Sequence, residues 1–300
     1  MRTSFINSLS NLAFKDKKIF LLCGDLGFSV LEEFIDQFPD RFLNLGVSEQ
    51  NMSLVASGLA MEGYNVFVYS IGNFPTLRAM EQVRYDICYH NLNVTLVSVG
   101  GGYAYGSLGP SHHSTEDFAM LRSLPNMLLG APADPVEANL ITSFFAKRKG
   151  PGYIRLNKSG EPKIHKDLSI KELKPGEIIR VIKGEEKVAV LSNSAILGEA
   201  LSQIKNKSLG YSLYSCPFIG LIDKDQLKKI FNHYEKIITF EEHQRSGGFG
   251  SYILEEANDL FLDKEIKKFP VLERIAVPDV FQSVSGSQEF LRELSKLELN

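Results

Sequence analysis

Short apolar runs alternate along this chain with longer stretches in which apolar residues recur every three or four positions. Residues 18–23, 42–45, 66–69, 94–99, 127–129 and 153–156 form the short runs and predict strands. Several stop at turn residues: Gly24-Asp25 after the first, Ile71-Gly72 after the third, and three glycines at 100–102 after the fourth. Helical spacing lies between them. Met52, Val55, Ala56 and Leu59 follow it, and residues 76–89 place Leu77, Met80, Val83, Tyr85, Ile87 and Cys88 among charges. Residues 115–124 carry a capping signature, with Ser114 as the cap and Asp117 three residues on. Residues 135–147 predict a further helix with Pro135 in its first turn. Strands alternating with helices of this length predict parallel βαβ units.

The alternation breaks at residues 158–176, where Gly160, Pro162, Pro175 and Gly176 stand among many charges. It resumes with strand-like runs at 188–191, 211–214, 237–240 and 272–277, and Ser192-Asn193-Ser194 opens a helix after the first of them. Residues 287–297 form a terminal amphipathic helix. The expected fold is therefore α/β in two domains, each a mostly parallel sheet flanked by helices. Residues 1–160 make the first, 161–176 a linker, and 177–300 the second.

Composition narrows the function classes. The 300 residues are 44% hydrophobic, enough for two substantial cores. Thirty-three basic and 36 acidic residues leave a net charge of −3, which argues against nucleic acid as a partner. No apolar run reaches the about 18 residues of a membrane span, and the N-terminus makes a poor signal peptide, so no membrane partner is expected. Cys23, Cys88 and Cys216 are scattered and odd in number, and read as reduced, buried thiols of a cytoplasmic protein. The His and Cys spacing offers no metal site.

The chemistry-bearing residues fall in the loops after strands. Glu49 stands where the apolar run 42–45 gives way to a helical pattern, an edge where open α/β folds bind ligands. An acidic residue in a helix's first turn is also favoured by the helix dipole alone. The loops at 24–29, 70–74 and 100–113 should gather with it at the carboxyl ends of one sheet. They bring Asp25, Ser29, Phe74, Arg78, His112 and His113 toward one rim. Neither GxGxxG nor GxxxxGK[ST] occurs, so no phosphate cradle of either type is present. Gly24-Asp25-Leu26-Gly27 begins like a thiamine-diphosphate magnesium motif, but Leu26 breaks it and no matching Asn follows.

These residues resemble a known family. Gly46-Val47-Ser48-Glu49-Gln50-Asn51-Met52 is similar to the glutamate turn of transketolase-like thiamine-diphosphate enzymes. The likeness continues in one order through residues 70–84, 89–94, 109–117, 121–127, 131–134 and 152–155, then 239–243 and 247–250. It covers the family's C-terminal half, the pyrimidine-binding domain followed by the C-terminal domain. The resemblance implies the C-terminal subunit of a split transketolase, inactive alone. Its partner would be an N-terminal, diphosphate-binding subunit that holds Mg2+ with the thiamine diphosphate. It further implies a homodimer or heterotetramer acting on small sugar substrates.

The same resemblance assigns roles. Glu49 is the glutamate that hydrogen-bonds the cofactor's pyrimidine N1′ and, through it, promotes loss of the C2 proton. Phe74 is the ring stacked on the pyrimidine, Asp25 an aspartate near the cofactor, and Ile71 an apolar wall where the family often has an aromatic. His112 matches a catalytic, substrate-contacting histidine with His113 beside it. Ser29 and Arg155 match phosphate-holding groups, and Arg78 a substrate-side arginine of deoxyxylulose-phosphate synthases. Leu108 departs from the family, standing where an Asp usually reads a sugar hydroxyl; it cannot hydrogen-bond, which argues against ordinary pentose phosphates. Two other readings are the β subunit of a 2-oxo-acid dehydrogenase or a deoxyxylulose-phosphate-synthase-like enzyme, and a non-catalytic regulatory scaffold.

Overall fold

The computed structural model describes residues 1–158, 160–165 and 172–300, so part of the expected linker lies outside the described residues. Among the described residues twelve strands form two sheets: β1 (Ile19–Cys23), β2 (Phe42–Asn44), β3 (Asn65–Ile71), β4 (Val94–Val99), β5 (Leu128–Gly130), β6 (Gly152–Leu156), β7 (Ile179–Ile182), β8 (Val188–Ser192), β9 (Ser212–Ser215), β10 (Phe218–Ile219), β11 (Lys236–Gln244) and β12 (Val271–Val277). The first sheet has the order β10-β5-β6-β4-β3-β1-β2 and the second β12-β11-β8-β9-β7. All pairings among β1 to β6 are parallel, as are those among β8, β9, β11 and β12. The exceptions are the edges: β7 runs antiparallel to β9, and β10 antiparallel to β5.

Strands buried on both faces explain the continuous apolar runs: β1, β4 and β6 are buried along their whole length. β1 lies between β2 and β3, so the chain reverses its direction of travel across the sheet there. That reversal is a topological switch point, the place where open α/β sheets bind ligands outside the carboxyl ends of their strands.

The second domain reaches into the first sheet. β10 pairs Phe218 with Gly130 and Ile219 with Leu129, and the Phe218 ring lies 4.9 Å from that of Phe144. One cluster of buried apolar residues runs from Leu22 and Val68 through Leu129 and Cys216 to Phe249 and Tyr252. The two sheets therefore share a core. The start of the connecting segment is fastened as well. Asp134 caps the Pro135–Lys147 helix by accepting from Val136 and Glu137 N–H, while its other oxygen accepts from Ile164 N–H at 2.8 Å and His165 N–H at 2.9 Å. Burial works against a charge on His165, but the Asp134 and Glu137 carboxyl groups, 3.2 and 3.4 Å from its two ring nitrogens, outweigh this and hold its pKa above the ordinary value.

One expected cap is not used. Ser114 lies in an extended bridge to Gly102, exchanging both backbone hydrogen bonds with it, and the helix begins only at Asp117. All three cysteines are free and buried. Among the described residues no helix is long and apolar enough to cross a membrane.

Candidate active site

Glu49 is the first residue of the Glu49–Met61 helix, directly after β2. The buried stripe of that helix is Glu49, Met52, Ser53, Ala56 and Ser57, spaced as one helical face. The acid is therefore carried inward by the periodicity that buries Met52. Its residue is 2% exposed. Among the described residues the only hydrogen bond to its carboxylate comes from Arg78 Nη1, at 2.9 Å to Oε2.

Arg78 lies in a tight turn, Leu77–Ala79, that opens the helical run after β3. Its guanidinium sits 4.8 Å from the centroid of the Phe74 ring. On the same ring, the His112 imidazole packs edge-on at 5.3 Å. His112 receives further support from Ser111 Oγ, 3.0 Å from Nδ1, and from the Tyr105 ring at 6.4 Å. Glu49, Phe74, Arg78 and His112 thus form one constellation at the carboxyl edge beside the switch point, with half-buried Ile71 closing β3 next to it. His112 closes a tight helical turn, Pro110–His112, and the backbone becomes extended only at His113, which turns inward. It is buried against Tyr103, its Nε2 has no partner among the described residues, and burial lowers its pKa.

Three residues that the sequence did not single out hold these loops together. Asn73 Nδ2 donates to the His113 carbonyl, tying the loop after β3 to the loop after β4. Ser98 Oγ donates to the Gly72 carbonyl at 2.6 Å. Asn44 accepts through Oδ1 from Asp25 N–H at 2.9 Å and Gly46 N–H at 3.0 Å, and donates to Asp25 Oδ1 at 3.1 Å. An Asn two residues before a Gly at a strand end is the available signal for that last turn. Asp25 and Ser29 lie exposed on the loop after β1, both with left-handed φ, 56° and 63°. Two such non-glycine residues in one loop are strained positions of the kind that cluster at ligand sites.

Arg155 is not on this rim. It is 3% exposed beneath the Gly101 backbone, at the seam between the domains. Nη2 donates to the carbonyls of Ser114 at 2.7 Å and Glu242 at 2.9 Å, and the guanidinium covers Phe118 at 4.4 Å. Its Nε lies 3.4 Å from Asp117, which accepts from the Tyr153 hydroxyl. A Cβ at residue 101 would stand 1.9 Å from Arg155 Nε, so the close approach needs glycine there. The seam also contains Glu242, which accepts from Tyr103 N–H at 2.9 Å and pairs with Arg292 at 2.6 Å.

A buried carboxylate on a helix stripe, an aromatic ring beside it and a histidine on the same ring, all at a switch point, form a site for a flat, polar-edged ligand. A family model described as the transketolase pyrimidine-binding domain matches residues 1–162, and one described as the transketolase C-terminal domain matches residues 177–296. The chain belongs to the transketolase family. It is 34% identical over 224 residues to a subunit of the apulose-4-phosphate transketolase of Actinobacillus succinogenes, covering 74% of this chain and 71% of that one. The like-named subunit from Phocaeicola vulgatus is 30% identical, over 86% of this chain and 83% of its own. A solved structure titled split gene transketolase, inactive beta4 tetramer superposes with a TM-score of 0.82 at 29% identity, covering 99% of this chain and 93% of that one. A 1-deoxy-D-xylulose-5-phosphate synthase of Bacillus velezensis is 30% identical, but the matched part is only 41% of its length. The transketolase reading of both domain types therefore stands.

Proposed function

We propose that this transketolase-family chain is the C-terminal subunit of a split transketolase, working with a subunit that binds the diphosphate of thiamine diphosphate and its Mg2+. The observation that carries this is Glu49: a carboxylate almost wholly buried at the switch point, on the same constellation as Phe74. The residues present fit the pyrimidine half of the cofactor. Glu49 would hold a proton at the pyrimidine N1′, Phe74 would offer its face, and Ile71 would close one side. When bound, the cofactor supplies the electron sink that lets the C2–C3 bond of a ketose break. Glu49 contributes acid–base catalysis relayed through the pyrimidine, a task that suits an enclosed carboxyl group. His112 orients and exchanges protons with substrate hydroxyls, and Arg78 faces the substrate anion. Asp25, Ser29 and His113 belong to the surrounding loops, with Asp25 nearest the cofactor; Arg155, engaged by two carbonyls, keeps those loops seated on the second domain. The pairing with a second subunit type makes a heterotetramer the expected assembly, in a cytoplasmic setting.

Leu108 is 55% exposed at the tip of the loop that carries His112. Its apolar side chain favours a ketose without the hydroxyl pattern of ordinary pentose phosphates. Apulose 4-phosphate, named in two relatives, is the first donor to try. The test mixes the chain with a diphosphate-domain partner, thiamine diphosphate and Mg2+, and assays two-carbon transfer from that ketose to an aldose phosphate. Transfer by the mixture and none by either subunit supports the reading. Decarboxylation of a 2-oxo acid in place of ketol transfer would favour the synthase or dehydrogenase alternative.

A further inference from the structure

Arg78 makes, inside the chain, the two contacts that the proposed function gives to the pyrimidine. One N–H edge meets Glu49 Oε2 at 2.9 Å, and the guanidinium carbon lies over the Phe74 ring, 4.8 Å from its centroid. A guanidinium is planar and delocalised, carries N–H donors along its rim and stacks on aromatic rings. A pyrimidine protonated at N1′ presents the same features. The burial of the pair is lopsided: the Glu49 side chain is 1% exposed and that of Arg78 is 51% exposed. The acid is fixed in the wall of the site, whereas the cation comes from the solvent side on a long, flexible stem.

We propose that Arg78 is a resident stand-in for the pyrimidine: it holds Glu49 and Phe74 in place until the cofactor arrives, then leaves both. The inference rests on the reading that Glu49 and Phe74 hold a pyrimidine. A buried carboxylate left without a partner is costly, so an internal cation stabilises Glu49 before the cofactor binds. The same pairing opposes loading, because its contacts must break as the cofactor forms its own. Since half of Arg78 is already in water, the opposition is small, of the size of an exposed ion pair. Once displaced, the guanidinium is at the mouth of the site, where it can take a substrate's anionic group. Cofactor loading and completion of the substrate site thereby become one movement of one side chain.

The experiment titrates the complex of this chain and its diphosphate-domain partner with thiamine diphosphate at saturating Mg2+, following heat or tyrosine emission. Arg78→Ala is expected to lower the cofactor Kd about three- to fivefold, to lower the unfolding midpoint of the cofactor-free complex, and to raise the ketose KM. Arg78→Lys keeps the charge but lacks the flat face, and its Kd is expected between those two. It also serves if Arg78→Ala does not assemble. A cofactor Kd unchanged or raised in both variants overturns the inference and leaves the proposed function standing. No cofactor uptake by the wild-type complex overturns both.

Discussion

Glu49, Asn73 and Gly101 show how single positions set this site. Asn73 fastens the loop that presents His112. Losing one buried hydrogen bond costs about 1 to 1.5 kcal/mol, so Asn73→Ala should reduce ketol transfer by about tenfold while circular dichroism stays unchanged. Gly101→Ala must push Arg155 off its two carbonyls. A loss of about 1–3 kcal/mol in denaturant unfolding is expected, and an unchanged midpoint would mean that the Arg155 packing is softer than its buried contacts imply. The position of Glu49 between a strand and an apolar helix pattern leaves a helix-dipole role open, and it is the ordered family-like motifs around it that make the residue legible in the sequence. The different surroundings of His112 and His113 come from the tight turn Pro110–His112, not from the extended backbone that a pair of adjacent histidines suggests. The location of Arg155 is not legible in the same way. Whether an arginine after a strand faces a ligand or a second domain depends on Phe118, Glu242 and Ser114, which come from distant parts of the chain. The pairing of Arg78 with Glu49 likewise depends on how the turn after β3 folds back over the helix after β2.

Strands and helices are most legible where they are long and buried. β1, β3, β4, β6, β8, β11 and β12 stand where their apolar runs predict, and the Pro135–Lys147 helix matches its predicted span. The two-residue β10 carries no periodicity of its own and exists because it completes an edge of the first sheet. Phe218→Ala should cost about 3–5 kcal/mol in chemical unfolding, since its side chain is 1% exposed at that junction. Near its end β11 carries Glu241, Glu242 and His243, and each is buried. Glu241 accepts from Phe249 N–H at 2.6 Å and Gly250 N–H at 2.8 Å, opening the helix that follows. His243 stacks on Phe118, accepts from Ala119 N–H at 3.3 Å, and donates from Nδ1 to the Gln244 carbonyl at 2.7 Å. These contacts suit the neutral ring, and burial depresses its pKa from 6.5 to about 4 although Asp117 favours the charge. The unfolded chain therefore takes up this proton first. The contribution of His243 is whole above pH about 6.5 and is lost as pH falls toward about 4, amounting to about 3 kcal/mol. Unfolding curves from pH 7 to pH 4 should show that decline in the wild type and a flatter one in His243→Gln. Parallel curves would refute the assignment.

Across the whole chain, the two domains are held by a shared apolar core, an exchanged strand and the buried polar contacts of Arg155, Glu242 and His243. The loops after β1, β2, β3 and β4 are thus seated on a shared base, and in the proposed function the face that carries Glu49 meets the other subunit. In the proposed function, catalysis turns on the Glu49 carboxyl group acting on the cofactor through its pyrimidine. The most direct test is the exchange rate of the cofactor's C2 proton with solvent deuterium, read by magnetic resonance in the complex with the diphosphate-domain partner. In Glu49→Gln, with the cofactor shown to be bound, exchange should slow by about 10²–10⁴-fold relative to wild type. Exchange at the wild-type rate in that variant would contradict this role for Glu49.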